Sequence, residues 1–361
     1  MSSLYSLNRK IDSNYEGLIK NLRRQGTPDR VYNLELMIDR EIEDIIDKRF
    51  SITSDLNANS ADFEYKRRIA IQRFLGYDYV DITLLNLTPN VWNKTQDTTS
   101  GEQGKKDRMW LEEHKGRIST WEEFEKYPWP ALMESSLKSL EWYDKNLPDD
   151  MCLVAKGGGF CEYLTWLMGY ESLCYALYED RELVKAISAK ILEHEEAACK
   201  VALQSSRVKI FCGDDDMGHK TGTTLSPADL KEFVLSGHKR LAELTHDAGK
   251  TYIMHSCGNR KKIIDELIDY VKLDGIHSWE DTIEYITDAK RIYGNRISLL
   301  GGMDINFLCI SPEKEIRKRV RETIEVCMPG GGFCLGTGNS VANYIPVDNY
   351  LIMLDEGRRY I

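Results

Sequence analysis

Between residues 150 and 361, short apolar runs alternate with amphipathic stretches, and most of the runs end in glycine or polar residues. Met151-Cys152-Leu153-Val154-Ala155 leads into Gly157-Gly158-Gly159, and Val208-Lys209-Ile210-Phe211-Cys212 into Gly213-Asp214-Asp215-Asp216. Thr251-Tyr252-Ile253-Met254 ends at His255-Ser256-Cys257, and Leu273-Asp274-Gly275-Ile276-His277 is a shorter run. Arg296-Ile297-Ser298-Leu299-Leu300 ends in Gly301-Gly302-Met303-Asp304, and the run at 332–335 ends in Gly336-Thr337-Gly338-Asn339. Helices are predicted from Arg181 to about Leu203, from Ser226-Pro227-Ala228-Asp229, from Arg260, from about Glu280, and after Ser311-Pro312-Glu313. Strand then helix, repeated at least six times, is the pattern of a parallel sheet. The expected fold is α/β, a (β/α)8 TIM-type barrel with catalytic groups at the C-terminal ends of its strands. About seven strands are legible, so the pattern alone leaves an open doubly wound sheet as the alternative.

The first part of the chain reads differently. Residues 1–60 are predicted to be an N-terminal helical extension, and 61–361 the barrel. Apolar residues recur at helical spacing from Leu34 to Ile46, and Ala61 to Leu75 is a second amphipathic stretch ending at Gly76. Tyr77 to Leu85 reads as the first strand. Residues 88–108 are polar and contain glycine, which predicts an insertion after that strand, a long loop of the kind that often forms a lid.

Composition excludes several function classes. The 361 residues are 42% hydrophobic and 29% charged, as in a globular domain, with a formal net charge of −10. No sustained basic run is present, which argues against nucleic acid as a partner. No stretch approaches the roughly 18 apolar residues of a membrane span. Met1 to Lys10 lacks the apolar core of a secretory signal, so the expected location is the cytoplasm. Nine scattered cysteines suggest free thiols and metal ligands rather than a disulfide framework. Neither a GxGxxG nor a P-loop motif occurs, so nucleotide binding has no support.

One group of residues carries chemistry. On a strand, positions i and i+2 share a side, so His255 and Cys257 project together. With Cys334, read as lying at a later strand end, they would form a three-ligand zinc site with an open fourth position, the layout of a catalytic zinc. The same residues also suit a polar strand end with two buried thiols. Cys152, Cys161, Cys174, Cys199, Cys212, Cys309 and Cys327 show no ligand spacing and read as core thiols.

His255-Ser256-Cys257-Gly258-Asn259, Asp274-Gly275-Ile276-His277, Gly301-Gly302-Met303-Asp304 and Gly330-Gly331-Gly332-Phe333 together resemble the uroporphyrinogen decarboxylase superfamily. The resemblance runs from about residue 60 to the C-terminus. Within the superfamily it points to the zinc- and corrinoid-dependent methyltransferases, and it implies His255, Cys257 and Cys334 as zinc ligands on a (β/α)8 barrel. The decarboxylases of the superfamily grip substrate carboxylates with an N-terminal arginine pair. Asn90-Val91-Trp92-Asn93-Lys94, where that segment would fall, has none. A tetrapyrrole decarboxylase is therefore the alternative, lacking its cationic clamp.

The resemblance also implies that Glu280 is either a displaceable fourth zinc ligand or a proton acceptor; a first-turn acid complementing a helix dipole is the plainer reading. Asp215-Asp216-Met217-Gly218 matches an Asp-Asp pair common in the superfamily, so Asp215 and Asp216 are expected either to act in catalysis by orienting a zinc-bound histidine or binding substrate, or to cap a turn. Asp214, His277, Asp304 and Asn339 are further candidates. The implied activity is transfer of a methyl group between a small substrate, a methoxylated compound or a thiol, and methylcobalamin or another corrinoid. The chain has no Asp-x-His-x-x-Gly motif, so the corrinoid would come free or on a partner protein. Demethylation of a methoxylated compound is the favoured direction, and a non-catalytic corrinoid or tetrapyrrole carrier is the reading from another class.

Overall fold

The computed structural model describes residues 7, 11–88, 92–96, 107–111 and 114–360. Among them are the strands β1 (Tyr32–Asn33), β2 (Tyr79–Thr83), β3 (Trp92–Gln96), β4 (Asp107–Leu111), β5 (Cys152–Gly157), β6 (Val208–Asp214), β7 (Thr251–His255), β8 (Gly275–His277), β9 (Ser298–Met303) and β10 (Phe333–Thr337). Eight of them form one sheet in the order β1-β10-β9-β8-β7-β6-β5-β2, with helices in the connections. The pairings of β1 with β10, β10 with β9, β8 with β9 and β6 with β7 are parallel. This is the (β/α)8 TIM-type architecture that the alternation predicts.

The chain divides into two compact units: Met1–Asp81, Trp142–Val154 and Asp274–Ile361 in the first, Ile82–Glu141 and Ala155–Leu273 in the second.

The second unit is built around β6, β7 and a 24-residue helix, Arg181–Gln204. Asp180 caps that helix by accepting the N–H of Leu183 at 3.1 Å. Its buried face follows helical spacing through Leu183, Val184, Ile187, Ile191, Glu195, Ala198, Cys199 and Ala202. The apolar members each stabilise the packing by roughly 1–3 kcal/mol; Glu195 breaks the stripe. Ser226 accepts the N–H of Asp229 at 3.1 Å with Pro227 in the first turn, as the sequence predicts. A π-helical turn, Lys231–Leu235, joins this short helix to Ser236–Asp247. The helix expected from Arg260 begins after a turn at 261–263 and continues as a π-helical segment at Glu266–Val271. In the predicted insertion, β3 and β4 pair antiparallel. Of the segment Asn90–Lys94, Asn90 and Val91 lie outside the described residues.

In the first unit, Tyr32 and Asn33 add a short strand to β10, within the stretch read as a helical extension. Two boundaries differ from expectation. The helix after β8 begins at Ile286, because residues 281–283 form a turn whose N–H groups at Ile283 and Glu284 donate to the carbonyl of Glu280. β10 starts at Phe333, so Cys334 is its second residue, paired with Tyr32 and Leu300, and Thr337 is its last. Three glycines with positive φ, Gly330, Gly331 and Gly332, precede the strand.

Candidate metal centre

The ends of β6 and β7 are in register, Asp214 opposite His255. Beyond that pair the two chains run on as a zipper, in which each residue of Asp215-Asp216-Met217-Gly218 engages the segment 255–259. The N–H of Asp215 donates to the carbonyl of His255 at 3.1 Å. The N–H of Cys257 donates to Asp216 Oδ1 at 2.6 Å. The N–H of Met217 donates to Ser256 Oγ at 3.2 Å. Gly218 provides space, since a Cβ there would stand 2.7 Å from the nitrogen of Asn259 and 2.9 Å from the carbonyl oxygen of Cys257. The N–H of Asn259 closes the series on the carbonyl of His219 at 2.8 Å.

This backbone arrangement brings three different donor atoms together. His255 Nε2 lies 3.3 Å from Cys257 Sγ and 3.4 Å from Asp216 Oδ1. The donor atoms of Asp216, His255 and Cys257 all fall within 4.8 Å of one another. His255 is buried, whereas Cys257 and Asp216 keep one side open. Burial by itself would raise the carboxyl of Asp216. The hydrogen bond and charge of His255, with the N–H of Cys257, outweigh burial and hold it down at about 2. Asp216 is thus a carboxylate across the working range.

The neighbouring acids differ. Burial, and then the charges of Asp216, Asp215 and Asp214, push the carboxyl of Glu162 up to about 10. Burial also raises Asp214, against the opposing charges of His255 and Lys156. Asp215 is fully buried and takes no part in the donor triplet. Its Oδ2 accepts from the N–H of Cys161 and its Oδ1 from that of Glu162, both at 2.9 Å. It thereby caps the start of the helix Phe160–Met168 from outside. His238 Nε2 reaches Asp215 Oδ2 at 2.8 Å, and His238 Nδ1 meets the hydroxyl of Tyr252 at 2.9 Å.

Other residues singled out from the sequence lie in the first unit. Cys334, expected near the end of its strand, lies near its beginning. It sits at the start of β10, fully buried, with its sulfur 3.5 Å from Asn21 Nδ2. Burial, then the charge of Asp78, push its thiol upward, against the opposing Asn21 hydrogen bond. Glu280 is corrected as a helix-start acid, since it precedes a turn. Asp304 caps the helix Ile305–Ile310, accepting the N–H of Phe307 at 2.9 Å and that of Asp281 at 3.1 Å. Asn339 Oδ1 accepts the N–H of Ser340 at 2.7 Å. His277 Nε2 lies 3.0 Å from the carbonyl oxygen of Thr337, so that nitrogen carries the proton.

Sequence reasoning missed Glu162, His238, Tyr252 and Glu35. The buried carboxyl of Glu35 accepts the N–H of Thr337 at 2.9 Å and its hydroxyl at 2.5 Å. Burial raises it to about 8 against those hydrogen bonds. None of the four belongs to a short motif. The available signal is a polar residue on an otherwise apolar face, as with His238 beside Leu241 and Ala242.

Over 130 residues the chain is 28% identical to a methylated-thiol–coenzyme M methyltransferase of Methanosarcina mazei. That match covers 36% of this chain and 32% of the relative, about a third of the relative's length. Among solved structures, a methyltransferase from Methanosarcina mazei is similar with a TM-score of 0.68 at 16% identity, over 97% of this chain and 99% of that one. A protein described as a vitamin-B12-independent methionine synthase from Listeria monocytogenes is similar with a TM-score of 0.50 at 12% identity, over 92% and 95% of the two chains. At such identities these structural likenesses establish the fold. The uroporphyrinogen decarboxylase (URO-D) family model matches residues 113–360. More than half of the chain lies within that match, and the chain belongs to the uroporphyrinogen decarboxylase family.

Proposed function

We propose that the chain is a zinc-dependent methyltransferase, moving a methyl group between a small substrate, a methoxylated compound or a thiol, and a corrinoid, free or carried by a partner protein. The observation that carries the reading is the convergence of His255 Nε2, Cys257 Sγ and Asp216 Oδ1 at the C-terminal end of β7.

The donor set fits zinc. Bond lengths near 2.0–2.3 Å in a tetrahedral site place donor pairs roughly 3.3–3.6 Å apart. The two spacings made by His255 Nε2, 3.3 and 3.4 Å, agree with that. One thiolate and one carboxylate balance a divalent charge, and the imidazole nitrogen completes a mixed N, S, O set. Asp216 replaces Cys334 in this proposal. When bound, zinc supplies a Lewis acid with an open position that activates a thiol or polarises an ether oxygen.

The residues of this chain supply the rest. Asp216 holds the N–H of Cys257 and so orients the sulfur. Asp215 fixes the backbone of His255. The methyltransferase names of the curated relative and of the similar solved structure support the reaction class.

The test is metal analysis of purified protein with and without Cys257→Ser, paired with methyl-transfer assays. One arm uses methylcobalamin with a panel of thiols. The other uses reduced corrinoid with methoxylated aromatics. Stoichiometric zinc that is lost in the variant, with transfer in either arm, is the expected result. A zinc-free protein active in either arm overturns the metal; a zinc protein inactive in both overturns the reaction class.

A further inference from the structure

We propose that His238 and Tyr252 are positioning residues for the metal centre, acting through Asp215. This inference rests on the zinc reading above.

The geometry is a chain of contacts from the core to a ligand backbone. The hydroxyl of Tyr252 meets His238 Nδ1 at 2.9 Å, His238 Nε2 meets Asp215 Oδ2 at 2.8 Å, and the N–H of Asp215 meets the carbonyl of His255 at 3.1 Å. All of the linking side chains are buried: Tyr252, His238 and Asp215 have 0% exposure. A buried carboxylate is costly unless every lone pair region is served. Asp215 has three donors, from Cys161, Glu162 and His238. Removing His238 leaves Oδ2 with the N–H of Cys161 and Oδ1 with that of Glu162, so the carboxylate loses the one side-chain contact that braces it from the His238 side. The loosened side chain belongs to the turn 215–217, whose N–H groups and carboxylate hold His255, Ser256 and Cys257.

Packing fixes the relay on both sides. The ring of Phe160 stands edge-on to His238 at 4.9 Å, and Phe211 stacks on Tyr252 at 6.1 Å. With Nε2 donating to the carboxylate, Nδ1 of a neutral His238 is left to accept from the hydroxyl of Tyr252. The chain thus orients the imidazole in the manner of groups that lie behind metal ligands, whose removal costs about 10–100-fold in metal affinity. Here the oriented element is the ligand-bearing backbone rather than the ligand ring.

The experiment is cobalt(II) titration of the full chain after chelation, following the thiolate-to-cobalt charge-transfer band and the visible bands. Wild type and Cys257→Ser report on the zinc reading itself. His238→Ala, His238→Gln and Tyr252→Phe report on the relay. His238→Ala is expected to weaken cobalt binding at least about tenfold and to shift the visible bands, with His238→Gln restoring most of the affinity through its amide donor. Tyr252→Phe, which keeps the ring packing, is expected to weaken binding severalfold and covers the case in which His238→Ala fails to fold. If His238→Ala, or Tyr252→Phe where the former does not fold, binds cobalt as wild type does, with unchanged bands and only a lowered melting temperature, the positioning role is overturned and the zinc reading stands. If wild type shows no charge-transfer band, both fall.

Discussion

Gly218 and Gly258 lie backbone against backbone, the two turns beyond β6 and β7 touching where neither residue has a side chain. Gly258 has φ of +79°, a conformation that L side chains rarely adopt. A Cβ on it would collide with the carbonyl carbon and oxygen of Gly218. Cys257 is the residue just before this contact, so the spacing of the two turns sets where its sulfur sits.

Gly258→Ala is therefore expected to act twice. Strain and collision should destabilise the fold by more than about 1 kcal/mol. Separation of the turns should also stretch the N–H of Cys257 away from Asp216. The measurement is thermal unfolding with and without added zinc. A bound ligand raises the midpoint only as far as it prefers the folded state. The zinc-dependent rise should shrink in the variant. A lowered midpoint with a full zinc response would mean that the contact is structural only.

Two cysteine substitutions should part company. Cys257→Ser is expected to reduce zinc affinity by more than tenfold, because its sulfur faces His255 Nε2 at 3.3 Å. Cys334→Ser should leave zinc binding intact, because that sulfur is buried against Asn21 at 3.5 Å. The serine hydroxyl still takes a hydrogen bond from Asn21, so the expected loss is about 1 kcal/mol of stability. Metal content after dialysis, together with urea unfolding, checks both. Equal zinc loss in the two variants would return Cys334 to the ligand set.

These contrasts show what the sequence made legible. The His-x-Cys spacing and the Asp-Asp-Met-Gly run both sit at strand ends, where period two and a following turn define direction. Their meeting follows from β6 and β7 being neighbours in a parallel sheet. A run at 332–335 places Cys334 near a strand end, whereas Gly336 and Thr337 continue β10 beyond it. The helix start expected at about Glu280 is displaced to Ile286 because one turn intervenes. His238 showed only as a polar residue on an apolar face, and its partners Asp215 and Tyr252 lie 23 and 14 residues away on other elements. Glu195 did give one: it occupies the buried stripe of an otherwise regular amphipathic helix.

Glu195 makes stability depend on pH. It is fully buried, and its Oε2 accepts the N–H of Gly158 at 2.8 Å. Among the described residues its Oε1 has no hydrogen-bond partner. Burial raises the carboxyl from 4.5 to about 7, against the Gly158 hydrogen bond. Below pH about 4.5 both the folded and unfolded states hold the proton, and the group costs nothing. Between about 4.5 and 7 the unfolded state ionises first, so stability falls as pH rises; above 7 the loss levels off. The total is on the order of 3 kcal/mol. Glu195→Gln keeps the acceptor for Gly158 and removes the titration. Urea unfolding from pH 5 to 8 should give a flatter profile for the variant than for wild type. Parallel profiles would show that the carboxyl is not the source of the slope.

Asp216→Asn separates the charge of the carboxylate from its hydrogen bond. The amide oxygen still accepts the N–H of Cys257, now 2.6 Å from Oδ1, so the turn should keep its shape. The negative charge beside His255 Nε2 at 3.4 Å is lost, and an amide is a weak zinc donor. Zinc affinity is expected to fall by about tenfold or more, with little change in the midpoint of the metal-free protein near neutral pH. The acid limb supplies a second readout. Because the carboxyl is held at about 2 against an ordinary 3.8, its contribution is present above about pH 4 and is lost as pH falls through 2. The side chain is 40% exposed, so solvent screens that contribution to a fraction of a kcal/mol. Metal-free wild type and variant should therefore unfold almost together in acid, while their zinc forms differ clearly at pH 7. If the variant binds zinc as wild type does, Asp216 is a turn residue, and the third donor lies elsewhere.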